Sequence, residues 1–248
     1  AQTAISTVNA AAATTINQNG GALNGAVLLS ATQADVLNVN GGTLNGQITG
    51  GAATTMTMTG GAVLVGPTVA DTIGTYRQTG GTLTFAVTPD ATTHGSIAAA
   101  GTATLGGMVG LALQPGLYAT STTYANVLSA GSPISTRLAQ VQAVAAGTAT
   151  PLAYFSAAAV YHGSSVDLTL TRQGFGALSG QTRNQQAVGR ALDAVFSPGL
   201  TGGAATFFTG LLQSTSAAQA GAIIDQVSGA GASNAQQTAF YASDAFVS

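Results

Sequence analysis

The sequence predicts a mainly β chain: a right-handed parallel β-helix, a solenoid of about 20 residues per coil, followed by a short α-helical C-terminal region. Three observations carry this prediction. Gly-Gly pairs recur at Gly20-Gly21, Gly41-Gly42, Gly60-Gly61 and Gly80-Gly81, a nearly even beat. Apolar residues hold fixed offsets from those pairs. Past Gly180 the apolar period changes from that of strands to that of helices.

The repeat contexts align as Ile16-Asn-Gln-Asn-Gly-Gly-Ala-Leu, Leu37-Asn-Val-Asn-Gly-Gly-Thr-Leu, Met56-Thr-Met-Thr-Gly-Gly-Ala-Val and Tyr76-Arg-Gln-Thr-Gly-Gly-Thr-Leu. Four residues before each first glycine stand Ile16, Leu37, Met56 and Tyr76. Three after it stand Leu23, Leu44, Val63 and Leu83, and seven after it Val27, Ile48, Pro67 and Val87. Each column is apolar, with the proline as its one exception. Asn, Thr and Gln alternate between the columns. A unit this short cannot bury two strand faces alone, but stacked units can. Stacking at about 4.8 Å, the interstrand spacing, sets equivalent residues above one another. Gly-Gly then takes a corner with positive φ, and Asn17 and Asn38 stack into an amide ladder just before it. An antiparallel sandwich with Gly-Gly hairpins is the rival, but hairpins do not require the same apolar columns in successive turns.

Residues 1–115 read as these Gly-rich repeats. Past Ala100 the Gly-Gly beat weakens while strands continue in Thr102–Leu113, Tyr124–Ser129 and Val166–Arg172, punctuated by Pro115-Gly116 and Ser132-Pro133. Residues 116–181 are therefore read as the final coils. Four clear coils, with four less regular ones beyond, give a rod about 40 Å long. From 182 to 248 three capping-box patterns precede apolar runs: Thr182-Arg-Asn-Gln185 before Val188, Leu192 and Val195; Ser216-Ala-Ala-Gln219 before Ile223, Ile224 and Val227; and Ser233-Asn-Ala-Gln236 before Ala239, Phe240 and Phe246. Pro198-Gly199 and Gly229 stop the first two runs.

Composition excludes much chemistry. Charged residues make up 5% of the 248, against about 25% in an ordinary soluble domain. All five cations are Arg, all seven anions are Asp, and Lys, Glu, Cys and Trp are absent. Lysine catalysis, Glu-dependent acid–base or zinc motifs, Cys nucleophiles, disulfides and iron–sulfur ligation are thereby ruled out. Five scattered Arg form no basic face for nucleic acid. A mean hydropathy of +0.36 with so little charge argues against disorder. No window of about 20 residues is apolar throughout, as a membrane helix requires. Ala1-Gln2-Thr3 reads as a mature end after signal removal, and a cysteine-free chain suits the envelope or the exterior.

The order of parts resembles the C-terminal passenger region of type V autotransporters of Gram-negative bacteria. The Gly-rich repeats are followed by Tyr124-Ala-Asn-Val-Leu-Ser-Ala130, similar to a strand of the final, autochaperone-like coils of that family. Leu152-Ala-Tyr and Val166-Asp-Leu-Thr-Leu-Thr-Arg172 come next. Thr182-Arg-Asn-Gln-Gln-Ala-Val-Gly-Arg-Ala-Leu-Asp193 is similar to the helix leading toward the outer-membrane barrel, and Asp225-Gln-Val-Ser-Gly229 to the segment just ahead of it. The resemblance spans roughly residues 16–230. Ala230 departs from it, standing where the family commonly has Glu, and the barrel itself lies outside the sequence. The resemblance implies secretion to the cell surface or beyond and a precursor linked to a barrel. It does not fix an activity, because passengers include adhesins, self-associating matrix proteins, proteases and esterases.

Candidate catalytic residues are few, and none forms a constellation. His94 lies four after Asp90 in Pro89-Asp-Ala-Thr-Thr-His-Gly95, where an Asx-type turn explains both. His162 precedes Ser164, Ser165 and Asp167, but no nucleophile elbow accompanies them, and a hairpin turn before the Val166 strand explains the cluster. The aspartates at 35, 71, 90, 167, 193, 225 and 244 are dispersed, with Asp35 and Asp71 in different columns. No Gly-Gly pair continues into a calcium nonapeptide. Gly174–Gly180 misses the dinucleotide spacing and reads as a hinge into the helices. Phe207-Phe208 reads as packing. No catalytic, cofactor or metal site is therefore assigned.

Two functions follow as expectations. The first is a non-catalytic, secreted or surface-displayed adhesive or self-associating protein, because charge, Lys above all, normally keeps sheet edges from pairing, and this chain has no Lys and little charge of any kind. Its partner is then a second copy or a host or neighbour surface. The second is a carbohydrate-active or esterase β-helix, which requires a groove lined by several Asp or His from different coils.

Overall fold

The computed structural model describes residues 2–228. Its core is a parallel β-solenoid of about 5 turns, with about 22 residues per turn, followed by three helices. It has fewer turns than the eight coils expected, so the rod is shorter. Each turn is slightly longer because the corners differ. The register shows this: the step from Leu83 to Val109 is longer than those from Leu23 to Leu44 and from Leu44 to Val63.

Each coil has three faces. One sheet comprises β1 (Thr3–Ser6), β3 (Ala26–Leu28), β5 (Ile48–Thr49), β8 (Ala70–Ile73), β11 (Ser96–Ala99), β14 (Ser121–Ala130), β17 (Ser165–Arg172) and β16 (Phe155–His162), in that spatial order. The other is bent into two faces. The first halves of β2 (Thr15–Asn24) and β4 (Val36–Asn45) stack with β6 (Thr55–Met58), β9 (Thr75–Gln78) and β12 (Ala103–Thr104). Their second halves stack with β7 (Ala62–Val65), β10 (Thr82–Val87), β13 (Met108–Leu113) and β15 (Gln140–Ala145).

The bend is the Gly-Gly corner. The second glycine of each pair has positive φ: 69° at Gly21, 73° at Gly42, 65° at Gly61 and 69° at Gly81. An L side chain is strained in that region. Stacking adds a second constraint, since a Cβ at Gly42 would lie 2.3 Å from the carbonyl oxygen of Gly21 in the coil beside it. Gly107, with φ 58°, continues the series past the point where the sequence repeat weakens.

Two of the expected columns form in full. Ile16, Leu37, Met56 and Tyr76 are consecutive register partners, and so are Leu23, Leu44, Val63 and Leu83, continued by Val109 and Val141. Leu44, Val63 and Leu83 are wholly buried, whereas Leu23, in an outermost strand, is half-buried. The third column is corrected. Val27 and Ile48 pair, but Pro67 lies in a turn where Val69 N–H donates to Gly66 O at 3.1 Å, and the next strand of this face begins only at Ala70. Val87 stays on the third face, opposite Leu113, because β10 runs two residues longer than β7. Asp71 takes the vacated place, with Ile97 and Leu128 after it.

The stack ends differently from how it begins. β14 is parallel to β11 but antiparallel to β17, and a bulge at Asn126, with φ 53°, separates the Tyr124–Leu168 and Leu128–Val166 pairs. β16 and β17 form a hairpin closed by Gly163 and Ser164. Strand structure thus runs to Arg172, as expected, although the last two strands form a hairpin and not a coil.

The helices are α1 (Arg183–Val195), α2 (Gly202–Leu212) and α3 (Ala217–Ser228). Thr182 and Gln185 complete the predicted capping box of α1. At α3, Ser216 Oγ accepts Gln219 N–H at 3.2 Å, but Gln219 Oε1 reaches Thr215 N–H in place of the expected Ser216. The third pattern, Ser233 to Phe246, lies outside the described residues, as do Gly229, Ala230 and Asp244. Phe208, Leu211, Leu212, Ala220 and Ile224 join the same core as Leu170 and Phe175, so the helices extend the interior of the solenoid. The expected hinge at Gly174–Gly180 is instead a packed junction. Phe175 is wholly buried, and a Cβ at Gly189 of α1 would lie 2.5 Å from Gly176 N.

Candidate functional site

The outward side of the coils consists of stacked rows. On the second face they run Asn17, Asn38, Thr57, Arg77 and Thr104. On the third they run Asn24, Asn45, Leu64, Thr84, Gly110 and Gln142. On the sheet opposite they run Leu28, Thr49, Thr72, Ala98 and Ser129. Arg77 is the one charged side chain in these three rows. The expected amide ladder is present: Asn38 Nδ2 donates to Asn17 Oδ1 at 2.9 Å. Asn40 Nδ2 repeats the bond to Asn19 Oδ1 at 2.9 Å, and Thr59 Oγ1 adds a step to Asn40 Oδ1 at 2.9 Å.

A groove of about 440 Å³ crosses the third face. Asn24, Asn45, Leu64, Thr84 and Ala112 contribute to its floor, and the turn at Gly147–Ala149 lines it as well. No Asp, His or Arg lines it, so it offers hydroxyl, amide and methyl groups and no acid–base pair.

The histidines lie apart from this groove's lining. Asp90 makes the expected Asx turn, its Oδ1 accepting Thr92 N–H at 3.0 Å and Thr92 Oγ1 at 2.9 Å. The Thr92 N–H above all, with the Thr92 and Thr93 hydroxyls, holds this exposed carboxyl below the usual range. His94 Nδ1 lies 3.0 Å from Gly95 O, and its ring meets Tyr124 edge-on. His162 Nε2 lies 3.1 Å from Asp167 Oδ2 across the hairpin, while Asp167 Oδ1 accepts Asn126 N–H at 2.8 Å. That carboxylate ties the hairpin to the bulge of β14, which is a structural task. Among the described residues no three His or Asp side chains gather as a metal site. Phe207 and Phe208 stack into a cluster with Phe175 and Phe196, as packing predicts.

No protein-family model, curated protein or solved structure matches this chain. Its chemistry is therefore read from its own geometry.

Asp35 and Asp71, which the sequence places in different columns, are both buried, a property the repeat pattern does not indicate. Asp35 precedes β4 and is fully satisfied: Thr7 Oγ1 donates to Oδ2 at 2.6 Å, Ser30 N–H to Oδ2 at 2.8 Å and Thr14 N–H to Oδ1 at 2.7 Å. The Thr7 hydroxyl chiefly, with the two amides, holds its carboxyl below the usual range against the opposing pull of burial. Asp71 is the reverse case, buried in an apolar column with one oxygen unsatisfied. A repeat column that shows Pro67 at that place gives no hint of a carboxylate there.

Proposed function

We propose that this chain is the surface-displayed passenger of a type V autotransporter and that it acts without catalysis, as an adhesive or self-associating structural protein. The observation that carries the reading is the set of long, stacked, almost uncharged rows on the outside of the solenoid. Surface charge ordinarily keeps copies of a protein apart, and these rows carry almost none. Rows of Asn and Thr at about 4.8 Å repeat offer the same hydrogen-bonding pattern to a second copy, and many weak contacts add up. The order of solenoid, closing hairpin and helices supports the passenger assignment. The partner is a second copy or a neighbouring surface, and the location is the exterior of a Gram-negative cell.

The carbohydrate-active or esterase reading requires Asp or His along a groove, and the groove on the third face is lined by neither. His162→Ala is expected to leave adhesion intact and to cost at most about 1 kcal/mol, because the imidazole is more than half exposed and Asp167 keeps its bond from Asn126 N–H. An esterase or glycosidase signal that disappears in this variant would favour the enzyme. The direct test of the proposal is display: the chain joined to an outer-membrane barrel on cells, scored for clumping and surface attachment. Clumping or attachment beyond that of cells carrying the barrel alone is expected. Indistinguishable cells would overturn the proposal.

A further inference from the structure

Asp71 is the one non-apolar member of an inward column that runs Val27, Ile48, Asp71, Ile97, Leu128. It is 1% exposed. Oδ1 accepts Ile48 N–H at 2.8 Å, and Oδ2 is enclosed without any partner. The ladder at this step is thin. β5 and β8 share the single register pair Thr49–Thr72, whereas β8 and β11 share four. Around that pair the hold is completed by Gly50 N–H to Thr72 O at 2.8 Å, by Gln47 Nε2 to Ala70 O at 3.2 Å and by the Asp71 carboxyl itself.

No cation compensates a charge at this place. The two ion pairs among the described residues are His162–Asp167 and Arg172–Asp193. Arg77, the nearest Arg in sequence, is exposed on the outer side of β9. Neither β5 nor β11 contributes a titratable side chain. The titratable group that interacts with Asp71 is the Tyr76 phenol on β9, whose OH donates to Gln78 Oε1 at 3.2 Å. Burial first, and the nearby Asp71 second, drive its ionisation far above the physiological range, so it stays neutral.

We propose that Asp71 is a protonation-controlled latch between β5 and β8. As the neutral acid it brings no charge into the apolar column and keeps the acceptor for Ile48 N–H that joins the two strands. As the carboxylate it places an unpaired charge between Ile48 and Ile97, which favours parting of the strands and entry of water at this step of the stack.

The direction of the pH effect follows from the same burial, which pushes the Asp71 carboxyl up to about 7 while the Ile48 N–H opposes it. An unfolded Asp titrates near 3.9. Between those values the folded chain binds the proton and the unfolded chain does not, so this group's contribution to stability falls as pH rises from about 4 to about 7. It levels off above that window. The step is firm in mild acid and loose at neutral pH.

Amide hydrogen exchange, corrected for its intrinsic pH dependence, tests this on the whole chain and on Asp71→Asn, which keeps the acceptor for Ile48 N–H without the charge. Protection at Ile48 and Gly50 is expected to fall by roughly two orders of magnitude between pH 5 and pH 8 in the wild type and to stay level in the variant. The variant removes this one carboxyl and leaves every other ionisable group of the chain in place, so a difference between the two proteins belongs to Asp71. Constant wild-type protection, or the same fall in both proteins, would overturn the latch. Should the variant not fold, the side-chain carboxyl carbon of wild-type Asp71 decides by its own titration. A midpoint near 7 supports the latch, and one near 4 overturns it.

Discussion

Arg172, the last residue of the closing strand, donates through Nη1 to Asp193 Oδ1 on α1 at 3.2 Å. Its guanidinium lies 4.7 Å from the centroid of the Phe175 ring and 4.5 Å from that of Phe196. Asp193 Oδ2 accepts Phe175 N–H at 2.8 Å, so one ion pair joins the solenoid, the connecting segment and the first helix. This is why the change of period near 181 does not separate two loosely joined bodies.

Removing that guanidinium leaves the carboxylate half-satisfied and two aromatic faces uncovered. Arg172→Ala is expected to destabilise the chain by about 2 kcal/mol, below the cost of breaking a fully buried pair, because the guanidinium is buried but the Asp193 carboxylate is partly exposed to water. Denaturant unfolding measures the loss, and limited proteolysis should cut first between 173 and 182.

Gly42 and Gly21 share positive φ, at 73° and 69°, but differ in surroundings. A Cβ at Gly42 meets the Gly21 carbonyl, whereas one at Gly21 meets nothing within 4 Å. Gly21→Ala is expected to cost about 1 kcal/mol from backbone strain alone. Gly42→Ala must also push two coils apart and should cost at least twice as much. Thermal unfolding of the two variants compares them, and equal costs would mean that the coils are not in this register.

The two buried carboxyls act in opposite directions with pH. Asp35 is held below its unfolded value, so its contribution is full above about 4 and is lost as pH falls through the folded value. Asp71 is held above its unfolded value, and its contribution is lost between about 4 and about 7. Together they place maximum stability near pH 4, with a decline of about 4 kcal/mol toward neutrality from Asp71. Unfolding midpoints from pH 2 to pH 8 locate the maximum, and in Asp71→Asn the neutral-side decline should disappear.

Much of the solenoid is legible because stacking imposes one requirement on every coil. Leu44 cannot be replaced by a polar residue without facing Leu23 and Val63, and Gly42 cannot carry a Cβ beside Gly21, so both positions repeat visibly. Legibility fails where corners change length. The turn at Gly66–Val69 shifts the chain by several residues, so a fixed offset selects Pro67 when the occupant is Asp71. Gly106-Gly107 went unread as a corner for the same reason, standing farther from Gly80-Gly81 than the earlier pairs stand from one another. The Asp90 turn and the His162 hairpin were legible because both are local. The Arg172–Asp193 pair was not, because it joins a strand to a helix across a stretch that carries no repeat. The outward rows were visible as composition, but their order along the stack required the register.

Sedimentation velocity across protein concentration, at low and at high salt, tests self-association of these uncharged rows most directly. Species that grow with concentration and are insensitive to salt are expected, since few ion pairs are available at the contact. A monodisperse monomer at the highest concentration in both buffers would contradict self-association, and dissociation by salt alone would contradict its uncharged character.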